Sequence, residues 1–120
     1  MNVFAAALMA SVSLHITVWP AGAGQPGKKE YTLRCTPAAG TVPRPGVACT
    51  RLLGLRRPFA PVPPGVACTE LYGGPATAFV TGRFRGTLIR SRFDRKDGCE
   101  IARWNRVRFL LPGATASGSG

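Results

Sequence analysis

The segment Val12-Ser13-Leu14-His15-Ile16-Thr17-Val18 alternates apolar and polar side chains along its whole length. Successive side chains of a β-strand point to opposite faces of a sheet, so this alternation predicts a strand with one buried face. His15 falls on the polar face of that strand. The segment is the first of a series of predicted strands that runs through the chain.

The other regular elements follow from the same kind of pattern. Further strands are predicted at residues 31–35, 77–84, 88–93 and 106–110, the last of which is expected to close the sheet. Apolar residues at near-helical spacing predict a short helix over residues 47–57, and residues 99–103 fit a helical turn. Strands linked as hairpins, with one or two short helices, are typical of the α+β class with an antiparallel sheet.

Length and composition favour one small folded domain. The chain has 120 residues, which suffices for one domain, and its 45% hydrophobic residues argue against global disorder. We expect an N-terminal segment over residues 1–11, the domain over residues 12–112 and a flexible tail over residues 113–120. Polar residues and Pro20 interrupt the longest uncharged stretch, so no membrane span is predicted. Since no Lys or Arg precedes its apolar run, the N-terminal segment is interpreted as a mature start or a signal remnant.

The four cysteines indicate disulfides rather than a metal site. Cys35, Cys49, Cys68 and Cys99 form no Cys-x-x-Cys pair, and His15 is the single histidine, so a zinc site is not expected. An even number of widely spaced cysteines in a small, loop-rich chain is typical of a secreted protein with two disulfides. The spacing alone leaves three pairings open.

A proline-rich segment, Pro61-Val62-Pro63-Pro64-Gly65-Val66-Ala67-Cys68-Thr69-Glu70-Leu71-Tyr72-Gly73-Gly74-Pro75, has features of a protease-inhibitor loop. Prolines stiffen both of its flanks, and Cys68 lies two residues before the Glu70-Leu71 pair. Proteases bind substrates as extended strands, so a rigid, tethered strand can occupy the active site tightly. The alternative is an ordinary proline-rich connection between two elements.

One hexapeptide, Pro-Gly-Val-Ala-Cys-Thr, occurs twice, at residues 45–50 and 64–69. The similarity does not extend into the flanking residues. We therefore interpret it as coincidence or local copying and not as a structural repeat.

From Leu14 to Leu110 the chain resembles the Streptomyces subtilisin inhibitor family. The matching pieces lie at residues 13–18, 31–35, 68–72, 80–86 and 99–100, with a helix containing Cys49 and with Val107 and Phe109 near the end. The resemblance implies disulfides Cys35–Cys49 and Cys68–Cys99, and a five-stranded antiparallel sheet with two short helices. It also implies secretion and a sheet-packed homodimer. We expect no cofactor and no metal.

The resemblance places the reactive bond between Glu70 and Leu71. Glu70 would then enter the primary specificity pocket of a serine protease, with its carbonyl in the oxyanion hole. The protease-contact loop would also include Val66, Ala67, Cys68, Thr69 and Tyr72. Thr69 and Ala67 would fill the second and fourth pockets on the acyl side, and Leu71 and Tyr72 would lie on the leaving side.

The chain departs from the family pattern at three places. Glu70 stands where the family usually has a basic residue or Met, which predicts a glutamyl-specific protease or a tolerant subtilisin as the target. Gly73 and Gly74 stand where the family usually has one residue. The segment from Phe93 to Cys99 is longer than usual, with Asp97 near the position of an expected asparagine.

A nucleic-acid-binding module is the alternative function. The chain carries 16 Lys and Arg residues against 5 Asp and Glu, a formal charge of +11. Arginines could line one face of a hairpin, with two aromatic rings as stacking platforms. The residues concerned are Arg83, Arg85, Arg90, Arg92, Phe84 and Phe93, with added charge from Arg103, Arg106 and Arg108. No nucleic-acid-binding motif accompanies them, so specific binding is not predicted.

Nothing in the sequence favours an enzyme. His15, the single histidine, has no acid close to it in sequence and is interpreted as an exposed strand residue. Asp94, Asp97 and Glu100 recur every three residues and could bind a cation, but Gly98 and the basic residues between them favour turn and capping roles. Trp19 and Trp104 are interpreted as core or dimer packing residues.

Overall fold

Strand β1 (Val12–Trp19) is the central strand of the computed structural model, which describes residues 10–113. It pairs antiparallel with β2 on one side and β4 on the other. In the five-stranded sheet formed by the described residues the order is β3-β2-β1-β4-β5. The other strands are β2 (Lys29–Cys35), β3 (Ala39–Gly40), β4 (Thr77–Phe84) and β5 (Thr87–Phe93).

The alternation of β1 works as predicted. Val12, Leu14, Ile16 and Val18 are all buried, whereas His15 is exposed on the opposite face. Ile16 is fully buried and lies opposite Tyr31 of β2 and Val80 of β4. The apolar face of this strand therefore forms the centre of the hydrophobic core.

Two helices in the described part of the chain pack against the sheet. Helix α1 (Pro45–Leu53) contacts β2 and β3, and helix α2 (Gly98–Arg106) contacts β5. Leu52 of α1 and Trp104 of α2 are fully buried in the same core as the β1 side chains. Neither helix of residues 10–113 is long and apolar enough to cross a membrane.

Two disulfides fasten these elements together. Cys35 at the end of β2 bonds to Cys49 of α1, with 5.7 Å between the Cα atoms. Cys68 bonds to Cys99 in the first turn of α2, with 5.3 Å between the Cα atoms. Of the three pairings that the spacing allowed, the sequential one is confirmed, and the predicted α+β class with a five-stranded antiparallel sheet is confirmed with it.

The strand predicted at residues 106–110 is wrong. Helix α2 runs to Arg106, and a short 3-10 turn follows over Arg108–Leu110. Trp104, Val107, Leu110 and Leu111 are buried, and their spacing is that of a helical face rather than of a strand. The fifth strand is instead the short β3, which lies between β2 and α1 and pairs with Leu33 and Arg34 of β2.

The helix bounds also differ from the predicted ones. Helix α1 begins at Pro45, a residue suited to the first helical position, and ends before Gly54 instead of continuing to residue 57. Helix α2 is longer than the predicted turn because Asp97 caps it, accepting a hydrogen bond from the Glu100 amide at 2.9 Å. Residues 1–9 of the predicted N-terminal segment and 114–120 of the predicted tail lie outside the described residues.

Replacing Ile16 by Ala tests whether β1 forms the centre of the core. We expect Ile16→Ala to lower the free energy of unfolding by about 2–5 kcal/mol, because it leaves a cavity among fully buried neighbours. Urea denaturation with both disulfides intact measures the loss. The control Ser13→Ala changes an exposed residue of the same strand and should alter stability by no more than about 0.5 kcal/mol. Equal losses in the two variants would contradict this assignment of the core.

Candidate functional site

An exposed loop (residues 66–72) lies between α1 and β4 and belongs to no helix or strand. Its most prominent side chains are Leu71 and Tyr72, which are 65% and 69% exposed, beside an exposed Glu70. Two large, mainly apolar side chains that are adjacent and this exposed are typical of a surface that binds another molecule. The residues that the sequence singled out as a protease-contact loop are thus brought together on the surface.

The entry side of the exposed loop is fastened at two neighbouring residues. Cys68 is held by its disulfide to Cys99. The carbonyl oxygen of Thr69 accepts a hydrogen bond from the Gly98 amide at 3.0 Å. A Cβ atom on residue 98 would lie 2.0 Å from Oγ1 of Thr69, so only glycine allows this close approach. The loop backbone is therefore fixed against the start of α2 just before Glu70.

The exit side is fastened at Gly73 by two reciprocal hydrogen bonds to Arg95. The Gly73 amide donates to the Arg95 carbonyl oxygen at 2.7 Å, and Nε of Arg95 donates to the Gly73 carbonyl oxygen at 2.9 Å. A Cβ atom on residue 73 would lie 3.0 Å from Cβ and Nε of Arg95 and from Cδ1 of Ile101. Glycine at this position therefore allows the arginine to lie against the chain.

Between these two anchors, the backbone of Glu70, Leu71 and Tyr72 is free. Within residues 10–113, none of the three makes a hydrogen bond to the rest of the chain. Their amide and carbonyl groups are available to pair with another chain, as a bound substrate strand pairs with a protease. The site thus combines fixed ends with an unpaired, outward-facing centre.

Helix α2 supports the entry anchor directly, and Arg95 of the exit anchor lies in the segment that leads into this helix. Arg103 of α2 donates from Nε to the carbonyl oxygen of Ala60, just before the proline-rich segment, at 2.9 Å. Its Nη1 atom donates to the Arg92 carbonyl oxygen of β5 at 3.1 Å and pairs with Glu100 at 2.7 Å. The helix is therefore tied to the sheet and to the start of the loop region by one largely buried side chain.

The proposed stacking platforms for nucleic acid are wrong. Phe93 is fully buried and Phe84 is 6% exposed, so neither ring can stack on a base. Arg85 also turns inward, where it donates to the carbonyl oxygen of Leu53 and lies over the Phe84 ring. Arg90 and Arg92 remain exposed, but they stand without the aromatic surface that the hypothesis required.

The other titratable residues have structural roles. His15 is exposed, and its Nε2 atom lies 3.0 Å from Oε1 of Glu30. Asp94 accepts from the Lys96 amide at 3.1 Å, and Asp97 caps α2, so the predicted turn and capping roles are confirmed for these two residues. Glu100 instead pairs with Arg103.

One cluster in the described chain has metal-ligand proximity, formed by Cys68, Asp97 and Cys99. Its two sulfur atoms are bonded to each other. Since metal binding by cysteine requires a thiolate, the cluster offers a metal one carboxylate only.

Sequence reasoning missed the two residues that fasten the loop from below, Arg95 and Gly98. The signal available for them was the unusual length of the segment between Phe93 and Cys99. Length alone could not show that this segment turns under the exposed loop and hydrogen-bonds to Thr69 and Gly73.

Comparison with known proteins gives a family and a fold relative. The family described as subtilisin inhibitor-like matches residues 10–95. A similar solved structure is sermetstatin of Streptomyces caespitosus, crystallised in complex with subtilisin of Bacillus licheniformis. It is 25% identical, with a TM-score of 0.51, and the match covers 86% of this chain and 97% of that chain. No curated protein matches the chain.

The family match spans all five strands, both flanks of the exposed loop and the loop itself. It ends at Arg95, before α2 begins. The members of this family inhibit proteases and are not enzymes, in agreement with the sequence-based expectation. On this match, the chain belongs to the subtilisin inhibitor-like family.

Proposed function

We propose that the protein inhibits serine proteases by offering the exposed loop as a substrate, with Glu70–Leu71 as the reactive bond. The observation that carries this proposal is the free backbone of Glu70, Leu71 and Tyr72 between anchors at Thr69 and Gly73. Family membership supports it, as does the complex of the similar sermetstatin with subtilisin. Val66, Ala67 and Thr69 would contact the acyl side of the protease groove, and Leu71 and Tyr72 its leaving side.

The fixed ends explain how a substrate-like strand can inhibit. The catalytic serine oxygen adds to the Glu70 carbonyl carbon, and the bond to the Leu71 nitrogen breaks as that nitrogen takes a proton. A flexible product would leave with its new amino group. Here the two pieces remain joined through Cys68–Cys99, and Gly73 is hydrogen-bonded to Arg95. The amine stays close to the acyl carbon, so re-formation of the peptide bond competes with hydrolysis.

The Glu70 carboxylate selects the protease. In trypsin the primary pocket carries its own carboxylate, and like charges repel. An apolar pocket must remove water from the carboxylate, at a cost of roughly 1–3 kcal/mol or more. A pocket that recognises glutamate offsets this cost with groups that hydrogen-bond to the carboxylate or carry positive charge. We therefore propose glutamyl-specific proteases, or subtilisins that tolerate glutamate, as targets.

Incubation with a panel of serine proteases tests the proposed function. We expect strong inhibition of a glutamyl-specific protease, measurable inhibition of subtilisin and weak inhibition of trypsin. Mass mapping of the incubated inhibitor should find a slow cut between Glu70 and Leu71, with both pieces joined until a reductant is added. Rapid cutting at several bonds of the loop, or no inhibition of any protease, would contradict the proposal.

Exchanging the charge of residue 70 tests its assignment to the primary pocket. Glu70→Lys should strengthen trypsin inhibition by roughly 30-fold or more. An ion pair between the lysine and the carboxylate of the trypsin pocket replaces a repulsive contact between two carboxylates, and the exchange favours binding by about 2–5 kcal/mol. Inhibition constants for trypsin and for the glutamyl-specific protease measure the exchange. The control Glu70→Gln removes the repulsion without supplying a positive charge and should gain much less. No gain for Glu70→Lys would show that another residue enters the pocket.

We also infer that the protein is secreted. Two disulfides join Cys35 to Cys49 and Cys68 to Cys99 within a small domain. Bonds of this kind form and persist in oxidising, extracellular compartments.

We also propose a homodimer packed through the outer face of the sheet. The positive charge of that face makes dimer formation depend on salt concentration. The polar face of β1 is flanked by exposed arginines, since Ser13 lies opposite both Arg34 and Arg83. Arg90 and Arg92 of β5 extend the same face, and Glu30 is its acidic residue. In a two-fold dimer the same patch meets itself, so arginines would approach arginines.

Sedimentation velocity at low and high salt checks the proposed dimer. We expect the monomer to dominate at low salt and the dimer to strengthen as salt screens the arginines. Arg83→Gln should strengthen the dimer at low salt, whereas the control Arg44→Gln, at the start of α1 and away from the strands, should not. A monomer at every salt concentration would rule the dimer out.

A further inference from the structure

We propose that Arg95 is a positioning residue that keeps the exposed loop an inhibitor instead of a substrate. The inference rests on the proposed function and extends it to a residue below the loop. It concerns the leaving side of the Glu70–Leu71 bond, which the Cys68–Cys99 disulfide does not fasten directly. It also gives a reason for glycine at residue 73, which lies against Arg95.

Arg95 is an arginine in an unusual environment. It is 7% exposed, and its guanidinium lies 5.7 Å from the centre of the Trp104 ring. Its side chain donates to the Gly73 carbonyl oxygen at 2.9 Å and reaches Oδ1 of Asn105 at 3.5 Å. Burying a charge is costly unless the group is well hydrogen-bonded. The shortest of its side-chain contacts is the one to the backbone of the loop.

No carboxylate in the described chain pairs with Arg95. The ion pairs of residues 10–113 join His15 to Glu30 and Arg103 to Glu100. Asp94 and Asp97 are occupied in a turn and a helix cap, and Glu70 is exposed in the loop. An arginine that stabilised the core would be expected beside one of these acids. Its side chain instead donates a hydrogen bond to the Gly73 carbonyl oxygen. Without that bond, the Gly73-Gly74 pair would be freer to move.

The segment 94–98 holds the loop at two points on either side of the reactive bond. Gly98 fastens Thr69, the residue before Glu70, and Arg95 fastens Gly73, two residues after Leu71. The same short segment thus holds the loop on both sides of the reactive bond. Since it connects β5 directly to α2, it moves with the core and not with the loop.

The loop and the segment 94–98 fit each other sterically. A side chain on residue 73 would press against Cβ and Nε of Arg95, and a side chain on residue 98 would collide with Thr69. The segment supplies the arginine, and Gly73 supplies the space for it. Two reciprocal hydrogen bonds then remove the flexibility that a pair of glycines would otherwise bring.

Arg95 therefore acts after the bond is cut. The new amino terminus begins Leu71-Tyr72-Gly73, and Gly73 is the first residue of that piece with a hydrogen bond to the core. While Arg95 holds Gly73, the amine remains within reach of the acyl carbon. When that hold is lost the amine can move away, and water completes the hydrolysis in its place.

Arg95→Met tests this role, since methionine keeps an apolar stem over Trp104 and leaves the backbone bond from the Gly73 amide in place, but removes every side-chain donor. We expect the rate of hydrolysis at Glu70–Leu71 by subtilisin to rise by about ten- to a hundredfold, with a smaller loss of initial inhibition. Arg95→Lys should restore part of the slow hydrolysis, because lysine retains a donor but not the fork geometry. The control Arg92→Met changes an exposed arginine of β5 and should behave as the unchanged protein.

A second variant keeps the proposal testable if Arg95→Met fails to fold. Gly73→Ala leaves the arginine in place but pushes the loop away from it, and it should raise the same hydrolysis rate. In the free protein, both variants should speed hydrogen exchange of the residue-73 amide, a readout that needs no protease. Unchanged exchange and unchanged hydrolysis in the variants would overturn the role of Arg95. If the unchanged protein itself is not cut between Glu70 and Leu71, the proposed function fails first.

Discussion

The attachment of the exposed loop to helix α2 is the constraint on which the rest of the site depends. Cys99 in the first turn of the helix holds Cys68 through the disulfide. Trp104, further along the same helix, is fully buried in the core. A disulfide that closes a loop of this size stabilises the fold by roughly 3–4 kcal/mol on the chain-entropy account. It also converts a proline-rich connection into a fixed strand, because the strand can move only if α2 leaves the sheet.

Stability and function use the same contacts in this domain. Arg103 ties α2 to β5 and to Ala60, and this keeps the support under the loop rigid. The loop itself contributes little to the core, since Leu71 and Tyr72 expose most of their surface. The backbone of residues 70–72 therefore makes no hydrogen bonds within the described chain, but the anchors on either side restrict its motion. Under the proposed mechanism, a protease would bind this segment without having to order it first.

The sequence predicted what periodicity can reveal and failed where context decides. Alternation located β1, β2, β4 and β5, and burial of Ile16 and Leu33 confirms the predicted faces. The hexapeptide shared by residues 45–50 and 64–69 shows the limit, since the first copy is helical and the second is an irregular loop. Cys49 packs onto β2 and Cys68 onto α2, so tertiary partners override identical local preferences. Arg95 escaped prediction because its partner Gly73 lies 22 residues earlier in the chain, a contact that no local pattern encodes.

The central claim is that fixed ends, and not the residues of the loop alone, prevent digestion. Its most direct test compares the rate at which one glutamyl-specific protease cuts Glu70–Leu71 in the folded protein and in a linear peptide of residues 64–75 with the cysteine blocked. The two substrates share all residues of the proposed protease-contact loop. We expect hydrolysis to be at least about a thousandfold slower in the folded protein, because the cut ends stay together. Equal rates in the two would contradict it.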